Sequence, residues 1–497
     1  MRGDWQGAGL KLFLARLLVP VSIIRWLSAR FSQLYLHGGR ISLQKKMVAS
    51  LLACMTVLVI VPHLRGALTL VDDAANSSRQ WLTDLVVKLS KDKSFGGSGD
   101  TEISILAVDN PTYKSWREPY ITPRDKLEAM IDFASAHKAS VVVVDFDLSR
   151  SEAWEGLTRG DRKLLQYLIK LDSAPAGRVP VVILLRDVGR DGNKKKVYDS
   201  FLRRNAPDLD DERGNVFWAA STVPLDNDGL IRRFNWFENI NQTERIVSAP
   251  LLASYLIRKM HELHNPDKAI RATHQWQRSI SSVLDGYPDV SLLARLAHKK
   301  SEHYRKSFDY SPSIIMWHEN RAADIRVNGF LEISGKRIKP DVYRDNIVFI
   351  GAMNNRTMDR YETPIGSRFG VEVLAQSTAT ILNHGGLQPL HGAGLYLYNF
   401  LLLVAMTLIL LLPGIVPILV VTALAGTLIY LPVAFFLYQH GISLDGAPPI
   451  LLIELAEPML PYVLGLVLNA RYLLENRKKI ATRIVEVAKY EWNKFLY

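Results

Sequence analysis

The sequence predicts a two-part protein. One part is an α/β domain outside the cytoplasm, layered about a mostly parallel sheet; the other is a membrane domain of four transmembrane helices. Three observations carry this. The run VVVVDFDLS, Val141–Ser149, has the length and β-branched make-up of a strand buried on both faces, and it ends in two acids. From Val373 to Leu444 the 497-residue chain has no Asp, Glu, Lys or Arg. Seventy-two residues without formal charge do not make a soluble surface. Both ends are basic: residues 1–46 hold eight Lys/Arg against one acid, Asp4, and the segment after Tyr472 holds Arg477, Lys478, Lys479, Arg483, Lys489 and Lys494.

The membrane elements follow from hydropathy and charge. A first apolar stretch, 47–64, has Lys45 and Lys46 before it and Arg65 after it. Pro413-Gly414 and Pro417 divide the charge-free run into spans at 395–412 and 415–438, and a further span covers 448–470. The positive-inside rule places both termini in the cytoplasm, a parity that four spans satisfy, so 67–392 lies outside. A cleaved signal peptide is the competing reading of 47–64. The basic lead of 46 residues and the lack of a small-x-small site weigh against it. The net charge of +12 does not point to nucleic acid, because much of the excess sits at the two ends, where orientation and anionic lipid account for it. Residues 1–46 read as a basic, partly amphipathic cytoplasmic segment. The single cysteine, Cys54, falls inside the first span, which leaves the outer domain without disulfides.

Two membrane-side features have chemistry of their own. Glu454 and Glu457 lie one helical turn apart in the last span and share a face. An intramembrane carboxylate must turn to protein or water, or be protonated. At ~9–14 Å from Pro448 these two sit near the interface, with a polar contact to another helix or ion conduction as the alternatives. In the tail, 473–497, Ile480, Ile484, Val487, Ala488, Trp492 and Phe495 recur at helical spacing among cationic residues. That stripe is expected to pack on protein, with pairing to a second copy as the leading case and lipid headgroups as the alternative.

The outer domain alternates strands and helices. A polar helical stalk, Asp72–Lys91, ends in Gly96-Gly97-Ser98-Gly99. Strands are expected at Ile103–Val108, Val141–Val144, Val179–Leu185, Phe217–Ser221, Leu230–Trp236 and Asn346–Gly351. Helices are expected at Pro123–His137, Leu164–Leu171, Ala249–Met260 and Gly370–Leu382. Such alternation with buried strands implies parallel pairing. Arg186–Asn215 reads as a charged surface insertion, Asp226–Gly229 as a turn, and 262–322 as polar and irregular.

At this point the pieces resemble the type-two CHASE domain, an extracytoplasmic sensory module of bacterial receptors that is followed by three transmembrane helices. The matching residues are ILAVDN, Ile105–Asn110; Pro123-Arg124; VVVVDFD; VPVVILL; DNDGLIRR, Asp226–Arg233; and the block Asn346–Ser377 with Asp359, Thr363-Pro364 and Gly370-Val371-Glu372. The resemblance covers most of Ile103–Gln388 and implies a sensor fold. Two departures stand out. Leu374 takes a position where the family often has histidine, and about 25 residues follow Tyr472, too few for the enzymatic output domain that members usually carry.

The candidate site gathers where parallel strands end. Asp109, Asp145 and Asp147 follow two strands, Arg124 opens the helix between them, and Asp359 and Thr363 follow the last strand. Together they suggest a pocket for a small ligand or a hard cation held through oxygens. The bland alternative is that Arg124 pairs with an acid and the others cap helices. A D-x-D pair also occurs in glycosyltransferases, but nothing here supplies a nucleotide site. His384 and His391 fit no zinc spacing, and no phosphate-binding loop, nucleophile elbow or metalloprotease helix is present. The expectation is a non-enzymatic inner-membrane receptor subunit without cofactor. Its partners would be the bilayer, a membrane or cytoplasmic protein supplying output, and a second copy of itself. A structural anchor in a membrane assembly is the alternative.

Overall fold

The computed structural model describes, apart from short breaks, residues 83–90, 101–282, 313–315, 325–389 and 431–443, with isolated positions at 80 and between 394 and 405. Residues 84–389 and 435–443 form one compact unit; the rest of the chain forms a second. Most of that second unit, including 1–46, 47–64, 448–470 with Glu454 and Glu457, and the tail 473–497, lies outside the described residues. Among the described residues no helix is long and apolar enough to cross a membrane.

The apolar runs do become strands. β1 is Ile103–Asp109, β2 Val141–Asp145, β3 Val181–Arg186, β4 Val216–Ala220, β5 Ile325–Gly329 and β6 Ile347–Met353. They form one sheet in the order β5-β1-β6-β2-β3-β4, and every neighbouring pair is parallel. The strand formed by Ile347–Met353 is therefore interior, between β1 and β2, although it comes last in the chain.

Helices cover both faces. On one face lie α2, Arg124–Ala136, and α3, Arg159–Asp172. Their Leu127, Met130, Ile131, Leu164, Leu165 and Leu168 share a core with Val142, Val144, Val182, Leu184, Val348 and Ile350 of the strands. Strand alternation sends Val141, Val143, Ile183 and Phe349 to the opposite face, and these too are buried. There α4, Ala249–Leu263, and α6, Gly370–His384, pack against the sheet, with α5, Pro266–Ser282, against α4. A short helix α1, Asn110–Ser115, follows β1.

Four differences from the sequence expectation have physical causes. The segment after β3 is only partly a surface insertion. Val188–Val197 is a hairpin, but Phe201, Leu202 and Leu209 return to the core, which the flanking charges conceal. Leu230–Trp236 does not extend the main sheet. Arg233–Phe234 pairs with Ser313–Ile314 and Leu230 bridges to Glu362, while the edge at β4 is taken up by a bridge from Ala220 to Ser248 and by α5. Gln277 Nε2 of that helix donates to the Trp218 carbonyl at 2.7 Å, and the His274 ring bonds the Gly214 carbonyl. Residues 266–282, in a stretch read as irregular, form α5. β5 gave no signal, since Arg326 and Val327 are exposed on an edge strand and interrupt any apolar run.

The end of the predicted 415–438 span is also informative. Leu431–Gln439 is helical, and Phe435–Ser443 belongs to the same compact unit as the α/β domain. The Tyr438 hydroxyl donates to the Ile315 carbonyl, and Ile442-Ser443 pairs in parallel with Gln388-Pro389.

Candidate functional site

The chain crosses to opposite faces on leaving neighbouring strands. β1 and β2 lead to α2 and α3, whereas β6, lying between them, leads to α6 on the other face. A crevice opens at the C-terminal ends of the strands where connections diverge like this. Asp145 ends β2 beside Gly351 of β6, its register partner. Beyond β6 the chain forms the hairpin β7, Arg360–Thr363, and β8, Gly366–Phe369, before entering α6. Asp359 stands just before β7, and its backbone carbonyl accepts the Gly370 N–H at the start of α6.

The hairpin brings Asp359 and Tyr361 to Asp145. Burial raises the Asp145 pKa well above the ordinary aspartate value, and the neighbouring Asp359 charge raises it further. Asp145 Oδ2 is closed off from solvent and has no hydrogen-bond partner among the described residues. Burial also raises Asp359, partly offset by a hydrogen bond from Tyr361, whose own ionisation is pushed up by burial and by both acids. Two crowded carboxylates with no cation paired to either among the described residues hold a proton more readily than either would alone.

Two glycines make the enclosure possible. A Cβ at Gly370 would overlap the Asp359 carboxylate, and one at Gly351 would lie 2.5 Å from Val371 Cβ. Both let the first turn of α6 press against the ends of β6 and β2. At its other end, Arg258 of α4 donates to the Ile381 and Leu382 carbonyls at 3.3 and 2.6 Å. Burial lowers the Arg258 pKa to about 10.

The other candidate residues have local duties. Asp109 accepts the Thr112 N–H at 3.0 Å and caps α1. Arg124 is buried, and its Nη2 donates to the Asp147 and Arg150 carbonyls at 2.9 and 3.0 Å, holding the loop after β2. Its Nε lies 4.0 Å from Asp161, and burial lowers its pKa despite the three acids around it. Asp147 is exposed and accepts the Ser149 N–H in a tight turn. Thr363 Oγ donates to the Gly366 carbonyl inside the hairpin. Of the six, the structure brings the carboxyl groups of Asp145 and Asp359 together and sets Arg124 against the Asp147 backbone.

Tyr361 was absent from the sequence reading, because a tyrosine beside an acid carries no signal until the hairpin folds. Arg232 was missed too. It is buried, takes Asp84 bidentately at 2.7 and 2.8 Å, and also binds Asp226 and Asp228. Asp226 and Asp228 were legible as a turn; that their charges converge on one guanidinium depends on the stalk helix returning to them. Among the described residues no group of three or more His, Cys, Asp or Glu is placed to hold a metal ion.

A parallel sheet covered by helices on both faces, with Asp145 and Asp359 at its C-terminal edge, makes this an α/β domain. The chain matches the CHASE2 domain family over residues 54–413 and belongs to that family, which is one of extracytoplasmic sensory domains. No curated protein and no solved structure matches it.

Proposed function

We propose that this protein is a membrane sensor subunit. Its CHASE2 domain lies outside the cytoplasm and takes up a proton or a small cationic group between Asp145 and Asp359. Four spans carry the change inward to a separate protein that supplies the output. The observation supporting this reading is the enclosed acid pair against the first turn of α6. A bound cation relieves the repulsion between the carboxylates, so occupancy and the seating of α6 are coupled. In sequence α6 leads directly into the apolar segment beyond residue 390.

The test is hydrogen exchange on the full chain in lipid nanodiscs. Protection of Gly370–His384 should change as the pH is moved across the titration of the pair, and Asp145→Asn with Asp359→Asn should remove that change. The same pH response in both proteins would refute the coupling. If partner chains co-purify equally with both proteins whatever the pH, the structural-anchor alternative would be favoured instead.

A further inference from the structure

We infer that a cavity at the β4 edge of the sheet is a binding site for a small, multiply charged tetrahedral oxyanion such as a phosphate group. It encloses about 270 Å3 among β4, the end of β3, the strand Arg245–Val247 and α5. Among the described residues that line it, four are arginines, Arg186, Arg203, Arg245 and Arg278, each with protein contacts of its own, and one is an acid, Glu244. This site is separate from the Asp145–Asp359 pair and stands or falls independently of it.

Trp218 supplies a second observation. It lines the cavity, is 2% exposed, and its Nε1–H has no acceptor among the described residues. An indole nitrogen only donates, so its buried N–H calls for an acceptor. The Arg186 guanidinium lies 5.8 Å over the Trp218 ring, which places a cation beside that donor.

The wall is built to hold its shape. His274 stacks on Phe217 at 4.0 Å between centroids, and Gln277 is fixed on the Trp218 carbonyl. Guanidinium forks match pairs of oxygens on a phosphate or sulfate, and several of them favour a ligand with more than one charge. The volume lies just below the ~300–1,000 Å3 of pockets that enclose drug-sized ligands, which suits a phosphate group with few other atoms. Nearby, Val188 and Val197 anchor the Lys-rich hairpin against Ala220 and Ile246, adding positive potential that steers an anion inward.

The experiment is calorimetric titration of the full chain in nanodiscs with inorganic phosphate at constant ionic strength, with sulfate and succinate in parallel. Saturable binding of phosphate or sulfate at one site per chain is expected. Arg278→Gln and Arg245→Gln should each weaken it by about tenfold. Trp218→Phe keeps an aromatic face, removes the donor and should weaken it severalfold, while Asp145→Asn should leave it unchanged. Arg278 is exposed, so its substitution tests the anion contact without threatening the fold. Absence of saturable binding by all three anions, or equal affinity in the arginine variants, would overturn the site. Preference for succinate would overturn the tetrahedral assignment.

Discussion

Asp145 and Arg232 show the two fates of a buried charge. Asp145 sits where burial and Asp359 both penalise its ionised form, so its folded pKa is raised. The folded state then binds that proton more tightly than the unfolded chain. The resulting stability is fully present below the ordinary aspartate value and is lost as pH rises through the folded pKa. Asp145→Asn stays neutral at little change in shape. It should raise the melting temperature at neutral pH and flatten the decline expected as pH rises above the ordinary aspartate value, measured by scanning fluorimetry. A lower melting temperature at every pH would mean that the carboxylate makes a needed contact. Arg232 is the opposite case, since its three aspartates more than compensate its burial and raise its pKa. Arg232→Met strands those acids and should cost about 3–5 kcal/mol in chemical unfolding of the domain. Asp228 is partly exposed, so its replacement by Asn should cost far less.

At the scale of elements, α6 concentrates the constraints. Its buried residues run from Gly370 to Ile381, its first turn lies against Asp359, and its last carbonyls accept from Arg258. Gly370→Ala would push a methyl group into the Asp359 carboxylate, and Gly351→Ala would push one into Val371. Overpacking of that kind should destabilise by about 1–3 kcal/mol, and Gly370→Ala should also shift the titration of the Asp145–Asp359 pair. Chemical unfolding together with the pH series checks both effects. Unchanged titration in a destabilised Gly370→Ala would separate the helix seat from the acid pair. The periodicity of α2 and α3 and the apolar runs of five strands were legible locally. The edge strand β5 and helix α5 were not, because an element packed on one side among charged residues has no clean apolar pattern.

For the whole molecule, the family match reaches from residue 54 to 413, so it takes in part of the predicted first span and the second. The topology read from charge leads to a direct check. In a Cys54→Ser background, single cysteines at Ser98 and Gly192 should react with an impermeant thiol reagent on intact spheroplasts. Cysteines at Ser42 and Lys479 should not. Reaction at all four, or the inverse pattern, would contradict an outer α/β domain with both ends inside.

VVVVDFD, NIVFIGA and the alternation around them determined by themselves that this chain builds a buried parallel sheet between helices. β-branched runs and helical spacing are local signals that can be read before the tertiary partners are known. The charge-free stretch and basic ends likewise set a membrane expectation through composition alone. The strand order was decided only by tertiary structure, since β6 enters between β1 and β2 after most of the domain has passed. That insertion places Gly351 beside Asp145 and lets the following hairpin deliver Asp359 and Tyr361. It also leaves Asp109, Arg124, Asp147 and Thr363 to local capping and loop contacts, although in sequence they looked like equal members of the site. Which acids meet depends on long-range pairing, and pairing energies are not written in the neighbourhood of any one residue.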